Sequence, residues 1–272
     1  MKSQIANWDK YRVAPASKVR LRGLSTRDTS NCQDKPTARQ LLKACRKEID
    51  ALLTTLAAEQ ARSLLVVLQG MDASGKDGTV RKVFTGVNPQ YCSVVSFKQP
   101  GPSEQMHDYL WRIYASLPEK GRAGVFNRSH YEDIVVPGAR ESHPLRLIHS
   151  RLDQVRDIER IWCENGMTIV KFFLHISSAE QKRRFKARLN NPDKHWKVQE
   201  SDFSDRRLWR RFEHIYQETL SRTSTKAAPW YVIPADHKWY RDLAIASIVR
   251  DTLDAMRPRL PHPKLNRGRF RL

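Results

Sequence analysis

The sequence predicts an α/β domain built on a parallel sheet, and three stretches carry that prediction. Leu64 to Leu68 is a run of five apolar residues that ends in Gln69-Gly70 and gives way to a glycine-punctuated loop and then a helical stretch. Met167 to Ile176 (MTIVKFFLHI) is nearly continuous in apolar character, as a strand covered on both faces requires. Two further β-rich runs, Tyr91–Phe97 and Pro229–Pro234, alternate with amphipathic helical segments, the pattern of strand–helix–strand units.

The elements follow in order. Residues 1–36 are mixed and basic and read as an arm lying on the core. From Thr37, a possible cap, to Ala61, apolar residues at Leu41, Leu42, Cys45, Ile49, Leu52, Leu53 and Leu56 predict a helix with one buried face. After the glycine loop a helix runs to about Phe84, broken by Gly86, Asn88 and Pro89. Ser103 to Ala115 reads as one helix. A short strand from Ala123 ends in the charged loop Phe126-Asn-Arg-Ser-His-Tyr-Glu-Asp133. Leu145–Asn165 is helical up to Gly166, and Ser177 with Glu180 opens a capped helix reaching Asn190 before Pro192. An amphipathic helix from Arg241 to Met256 closes the domain, 37–256, and the basic tail 257–272 reads as disordered.

The glycine loop is the chemical centre. In GMDASGKDG, Gly70 and Gly75 allow a tight turn in which backbone N–H groups face one hollow, and Gly78 follows in the next helical turn. The helix start adds its positive end, and Lys76 adds a charge able to follow a phosphoryl group. A hydroxyl usually follows that lysine. Here Asp77 does, and Asp72 lies inside the loop. Two carboxylates beside bound phosphates call for a divalent cation between them, Mg²⁺ or Mn²⁺. The second cluster also follows a strand, and open α/β sheets place ligands at the carboxyl ends of strands. Asn127 and Arg128 are placed to meet phosphate, and Glu132 and Asp133 to meet acceptor or metal. His130 reads as structural.

The chain has 272 residues, a formal charge of +20 and a pI near 10.1. That excess points to a polyanionic partner: a phosphate chain, nucleic acid or an anionic membrane. Residues 182–211 hold eleven Lys or Arg against four acids, arranged as two helices joined at Asn-Asn-Pro-Asp, a lid carrying cations toward the site. Arg184 and Arg188 share a helical face, as do Arg207 and Arg211. No run of apolar residues is long enough to span a bilayer, the N-terminus lacks a signal-like apolar centre, and Cys32, Cys45, Cys92 and Cys163 have neither paired nor metal-type spacing. The expectation is a cytoplasmic protein with reduced thiols.

GMDASGKDG, FNRSHYED, RLNNPDKHWK and APWYVIPADHKWYRDLA, with HDYLWR between them, resemble the polyphosphate kinase 2 family over roughly residues 11–256. FNRSHYED is most similar to the branch called class III, whose members phosphorylate AMP as well as ADP. The resemblance implies a three-layer α/β/α P-loop kinase fold, similar to thymidylate kinase, with a helical lid, and a homo-oligomer. It implies Mg²⁺, inorganic polyphosphate as donor, and adenine or guanine nucleotides as acceptors. By motif, Asp72, Lys76 and Asp77 belong to the first loop and Arg128, Glu132 and Asp133 to the second. Catalysis then falls to Lys76, Asp77 and Arg128, and metal binding to Asp72 and Asp133. Arg183, Arg184, Arg188, Lys194, Lys197 and Arg207 become lid groups holding the chain of phosphates. IVVPGARESHPLR, after the second loop, departs from the family pattern and bears on substrate preference. Two rivals remain. An ATP-dependent nucleotide kinase explains the loop but not the charge. A nucleic-acid-binding P-loop protein explains the charge, but the core holds no nucleic-acid module, so no nucleic acid is expected.

Overall fold

The computed structural model describes residues 7–261. The tail expected to be disordered therefore lies outside the described residues from position 262 onward. Helix α1 (Lys35–Glu59) is capped by Asp34, whose side chain accepts from the N–H of Thr37, so the cap lies three residues before the expected Thr37. Asp outranks Thr as a cap, and Pro36 fits the first turn because it has no N–H to satisfy. Strand β1 (Ser63–Gln69) is buried throughout. Its five aliphatic side chains, Leu64–Leu68, are fully covered, each contributing about 1.5–3 kcal/mol. Helix α2 (Lys76–Val83) and strand β2 (Cys92–Ser96) follow.

The single helix expected over Ser103–Ala115 is two short ones, α3 (Pro102–Gln105) and α4 (Trp111–Tyr114). Asp108 breaks it: its carboxylate takes the N–H of Leu110 at 2.8 Å, a local alternative to the helical ladder. Strand β3 (Ala123–Asn127) then runs into a helix not anticipated from the sequence, α5 (Glu132–Arg140), with Pro137 inside it. Proline frees the carbonyl four residues back. That carbonyl, Asp133 O, accepts from Arg151 at 2.6 Å.

Helix α6 (Leu145–Glu164), strand β4 (Met167–His175) and helix α7 (Ser178–Leu189) come next. A 3₁₀ turn (Pro192–Lys197), α8 (Glu200–Arg207) and α9 (Trp209–Thr223) make up the rest of the basic segment, so its second helix is broken at Leu208. Strand β5 (Trp230–Pro234) and α10 (Lys238–Met256) end the domain. The last helix is not amphipathic as expected: every residue from Tyr240 to Val249 is buried.

The five strands are all parallel, in the order β2-β3-β1-β4-β5. Helices α1, α2 and α10 pack together on one face and α5, α6 and α9 on the other, giving three layers. The arm lies on this core: Val13 N–H donates to Trp230 O at 2.8 Å, and Trp8, Val13 and Leu21 are buried. All four cysteines are free thiols.

Candidate active site

The first loop leaves the carboxyl end of central strand β1. Gly70 and Gly75 take φ of 151° and 104°. A Cβ on Gly70 would lie 2.8 Å from Leu174 O, and one on Gly75 1.9 Å from an Arg241 nitrogen, so the chain passes where only glycine fits. Lys76 turns back over the loop, donating to Gly70 O at 2.7 Å. Burial, and then Arg128 nearby, pull its pKa below the usual lysine value.

Register brings in the second loop. Leu68 pairs with Asn127 across β1–β3, and Arg128 N–H donates to Leu68 O at 3.0 Å. Arg128 has φ of +67°, an uncommon conformation for a residue with a side chain. Its guanidinium reaches Asp72 at 2.8 Å and Glu132 at 3.1 Å, and those carboxylates, Glu132 foremost, hold it firmly cationic. Asp77, at the start of α2, accepts from Asn127 Nδ2 at 2.9 Å and from Lys197 Nζ at 3.0 Å. Partial burial alone would raise its pKa; these two donors outweigh that and hold it below the usual carboxylate value. Gly78 sits in the first turn of α2. Asp72, Lys76, Arg128 and Glu132 line one cleft with Gln181, Asp205, Trp209 and Tyr216.

Two of the expected site residues stand elsewhere. Asp133 does not join Asp72: its carboxylate is held by the buried Arg112 at 3.1 Å. The turn of α5 that starts at Glu132 points successive side chains in different directions, and only Glu132 meets Arg128. Arg184 is not on a lid surface. It is buried, with its guanidinium on Ala73 O (2.9 Å), Ser74 O (2.7 Å) and Ala235 O (2.5 Å) and its Nε on Glu180 (2.6 Å). It thus does not share an outward face with Arg188, whose guanidinium turns toward Asp202 at 3.9 Å. Arg183, Lys194 and Arg207 are exposed.

Several contributors were not legible as such. Gln181 donates to Asp72 O at 3.0 Å and is itself held by Arg206 at 2.7 Å. Arg241 donates to Ser74 O at 3.1 Å. The signal for Arg241 was present only as its place in the YRDLA run; geometry alone gives its contact.

As metal ligands, Asp72 and Asp77 offer hard carboxylate oxygens beside the phosphate loop. Among the described residues no group of three or more His, Cys, Asp or Glu could cage a metal. That donor set suits an ion such as Mg²⁺, which keeps several waters and takes one or two carboxylates plus substrate phosphates.

A parallel sheet with a phosphate loop at its central strand, and a cleft at the strand ends that brings Lys76 and Arg128 together with Asp72 and Glu132, defines a P-loop phosphotransferase. Residues 32–261 match the family model described as polyphosphate kinase 2. The chain is 43% identical over 256 residues to an AMP/ADP-polyphosphate phosphotransferase of Meiothermus ruber, covering 94% of this chain and 96% of that protein. It is 36% identical to an ADP-polyphosphate phosphotransferase of Rhodopseudomonas palustris, covering 92% and 91%. The crystal structure of polyphosphate kinase 2 from Arthrobacter aurescens superposes with a TM-score of 0.92 at 34% identity, over 97% of this chain and 95% of that one. The chain belongs to the polyphosphate kinase 2 family, and it is a kinase of the P-loop fold.

Proposed function

We propose that this kinase transfers a phosphoryl group reversibly from inorganic polyphosphate to AMP or ADP. The observation that carries this reading is the meeting of Lys76 and Arg128 in one cleft at the strand ends, beside a segment with ten Lys or Arg besides the buried Arg184. A single nucleotide pair does not need that many cations; a phosphate chain does. The relatives named for AMP/ADP and polyphosphate support the same donor and acceptors.

Phosphoryl transfer needs positioning and charge neutralisation more than covalent help. The loop N–H groups and Lys76 hold the phosphates flanking the reacting bond. Arg128 leaves Asp72 and Glu132 for the equatorial oxygens of the transferring group, where a charge-assisted donor counts most. Asp77, kept ionised, orients the acceptor side through Asn127 and Lys197 and is no proton donor at neutral pH. The acceptor phosphate is itself largely ionised there, so no strong base is required. Asp72 and Asp77 would hold Mg²⁺, or Mn²⁺ in its place, which would supply neutralisation of phosphate charge. One anhydride replaces another, so the reaction runs in both directions.

Among the described residues no helix is long and apolar enough to cross a membrane, and the free thiols fit a reducing cytoplasm. A homo-oligomer that binds no nucleic acid completes the reading. The test is turnover of AMP, ADP and the guanine nucleotides with long-chain polyphosphate and no ATP. Turnover with ATP as the only competent donor overturns it.

A further inference from the structure

The back of the phosphate loop carries an unusual investment of charge. Arg184 from α7 and Arg241 from α10 are both buried, and both donate to the same oxygen, Ser74 O, at 2.7 and 3.1 Å. Two like charges on one carbonyl repel, and each is offset by its own acid. Arg184 has Glu180 at 2.6 Å. Arg241 has Asp242 at 2.6 Å, and Asp242 in turn accepts from Thr79 of α2 at 3.4 Å. Arg184 further binds Ala73 O and Ala235 O, tying the loop to the end of β5.

A trans peptide points its C=O and the following N–H in opposite directions. With Ser74 C=O held backward by two guanidinium groups, the N–H of Gly75 faces forward, away from both arginines and at the start of α2. Gly75 leaves room for this: a Cβ there would lie 1.9 Å from an Arg241 nitrogen and 3.5 Å from an Arg184 nitrogen. Ala73, at φ +59°, is a strained position that its surroundings must hold.

We infer that Arg184 and Arg241 are paired positioning residues that fix the Ser74–Gly75 peptide so that its N–H serves the bound phosphates, with neither arginine touching substrate. The inference rests on the reading of this loop as the phosphate cradle. It separates Arg184 from the lid cations, which act on the length of the donor.

The test compares Arg184→Lys, Arg241→Lys and Asp242→Asn with wild type. Lysine keeps the charge but lacks the planar fork with which Arg184 spans Ser74 O and Ala235 O and Arg241 spans Ser74 O and Asp242, and Asp242→Asn leaves both arginines in place while loosening one. The expected result is a fall in kcat of roughly 10- to 100-fold, the scale of a small misplacement at a reacting centre. That fall is the same for short and long donors, exceeds any rise in donor KM and leaves the salt dependence of KM as in wild type. Arg241→Lys combined with Asp242→Asn is expected to be no worse than Arg241→Lys alone. Near-wild-type kcat in folded variants overturns the inference. A loss confined to long donors, with a flatter salt dependence, also overturns it and returns Arg184 to the lid. Should either lysine variant fail to fold, Asp242→Asn decides alone, with unchanged turnover refuting the pairing. Calorimetry with tripolyphosphate separates the underlying reading: if wild type binds it but turns over neither it nor long-chain polyphosphate, the proposed function falls. The inference then stands on whether the variants bind tripolyphosphate at least about fivefold more weakly, since cradle hydrogen bonds to a charged group are worth that much or more, and equal binding refutes it.

Discussion

Lys197, in the 3₁₀ turn of the basic segment, reaches across the cleft to Asp77 at the start of α2, with 3.0 Å between Nζ and Oδ2. The carboxylate that replaces the usual loop hydroxyl is thus one place where the basic segment touches the phosphate loop, beside the contacts of Arg184. The pair is open to solvent, Asp77 at 67% and Lys197 at 33%, so it contributes only about 0–1 kcal/mol to stability. Its value lies in what it orients. Asp77→Asn is expected to keep the melting temperature and lose most turnover, by about 10-fold or more. Lys197→Met is expected to raise the donor KM with a smaller loss in kcat. Asp77→Asn with near-normal turnover at saturating Mg²⁺ removes the role assigned to the acid.

Arg128 is shared between Asp72 and Glu132 and must exchange those partners for phosphate oxygens. Arg128→Ala is expected to lower kcat on the order of 100- to 1000-fold while nucleotide affinity changes little, because the contact strengthens in the transition state. Steady-state kinetics with a separate nucleotide-binding measurement decide it. A variant whose only defect is a raised nucleotide KM makes Arg128 a ground-state ligand instead.

The fold and both loops were legible because their signals are local. Leu64–Leu68 is apolar in every register, and Gly70 and Gly75 sit where the backbone demands glycine. Helix α5 was not legible. Val135, Val136, Pro137 and Gly138 argue against a helix, and what allows one is distant: Arg151 taking Asp133 O, and Gly138 giving Ile215 room, since a Cβ there would come within 3.1 Å of it. The same limit explains Arg184. Within a run of basic residues the sequence gives spacing but not which side chain turns inward. Asp133 failed for a related reason: adjacent acids at a helix start look equivalent until one is seen to be held by Arg112.

The basic segment should read the donor as a polyanion. Arg188→Gln, Lys194→Gln and Arg207→Gln together are expected to flatten both the salt dependence and the chain-length dependence of the donor KM, since each neutralised phosphate releases counterions. ADP affinity should change little. Parallel curves for wild type and the triple variant dispose of the lid.

Behind the second loop lies a fully buried pair, Lys171 on β4 and Glu159 on α6, 2.5 Å apart. Lys171 also donates to Tyr131 OH at 3.0 Å and Thr223 O at 2.8 Å, and Tyr131 OH donates to Glu159 at 2.8 Å. Removing one member leaves the other charge stranded, so Lys171→Met is expected to cost about 3–5 kcal/mol, whereas Lys171→Met with Glu159→Gln recovers much of it. The acid side follows in sign. Burial alone would raise the Glu159 pKa, but Lys171 foremost and then His130 bring it below the usual glutamate value. A depressed carboxylate stabilises the fold above its unfolded pKa and loses that contribution as pH falls through the folded one. Without Lys171 the depression disappears, and the acid unfolding midpoint of Lys171→Met should move to higher pH than that of wild type. Circular dichroism against pH measures it. Coincident midpoints would show that the pair is not what keeps this core folded in acid.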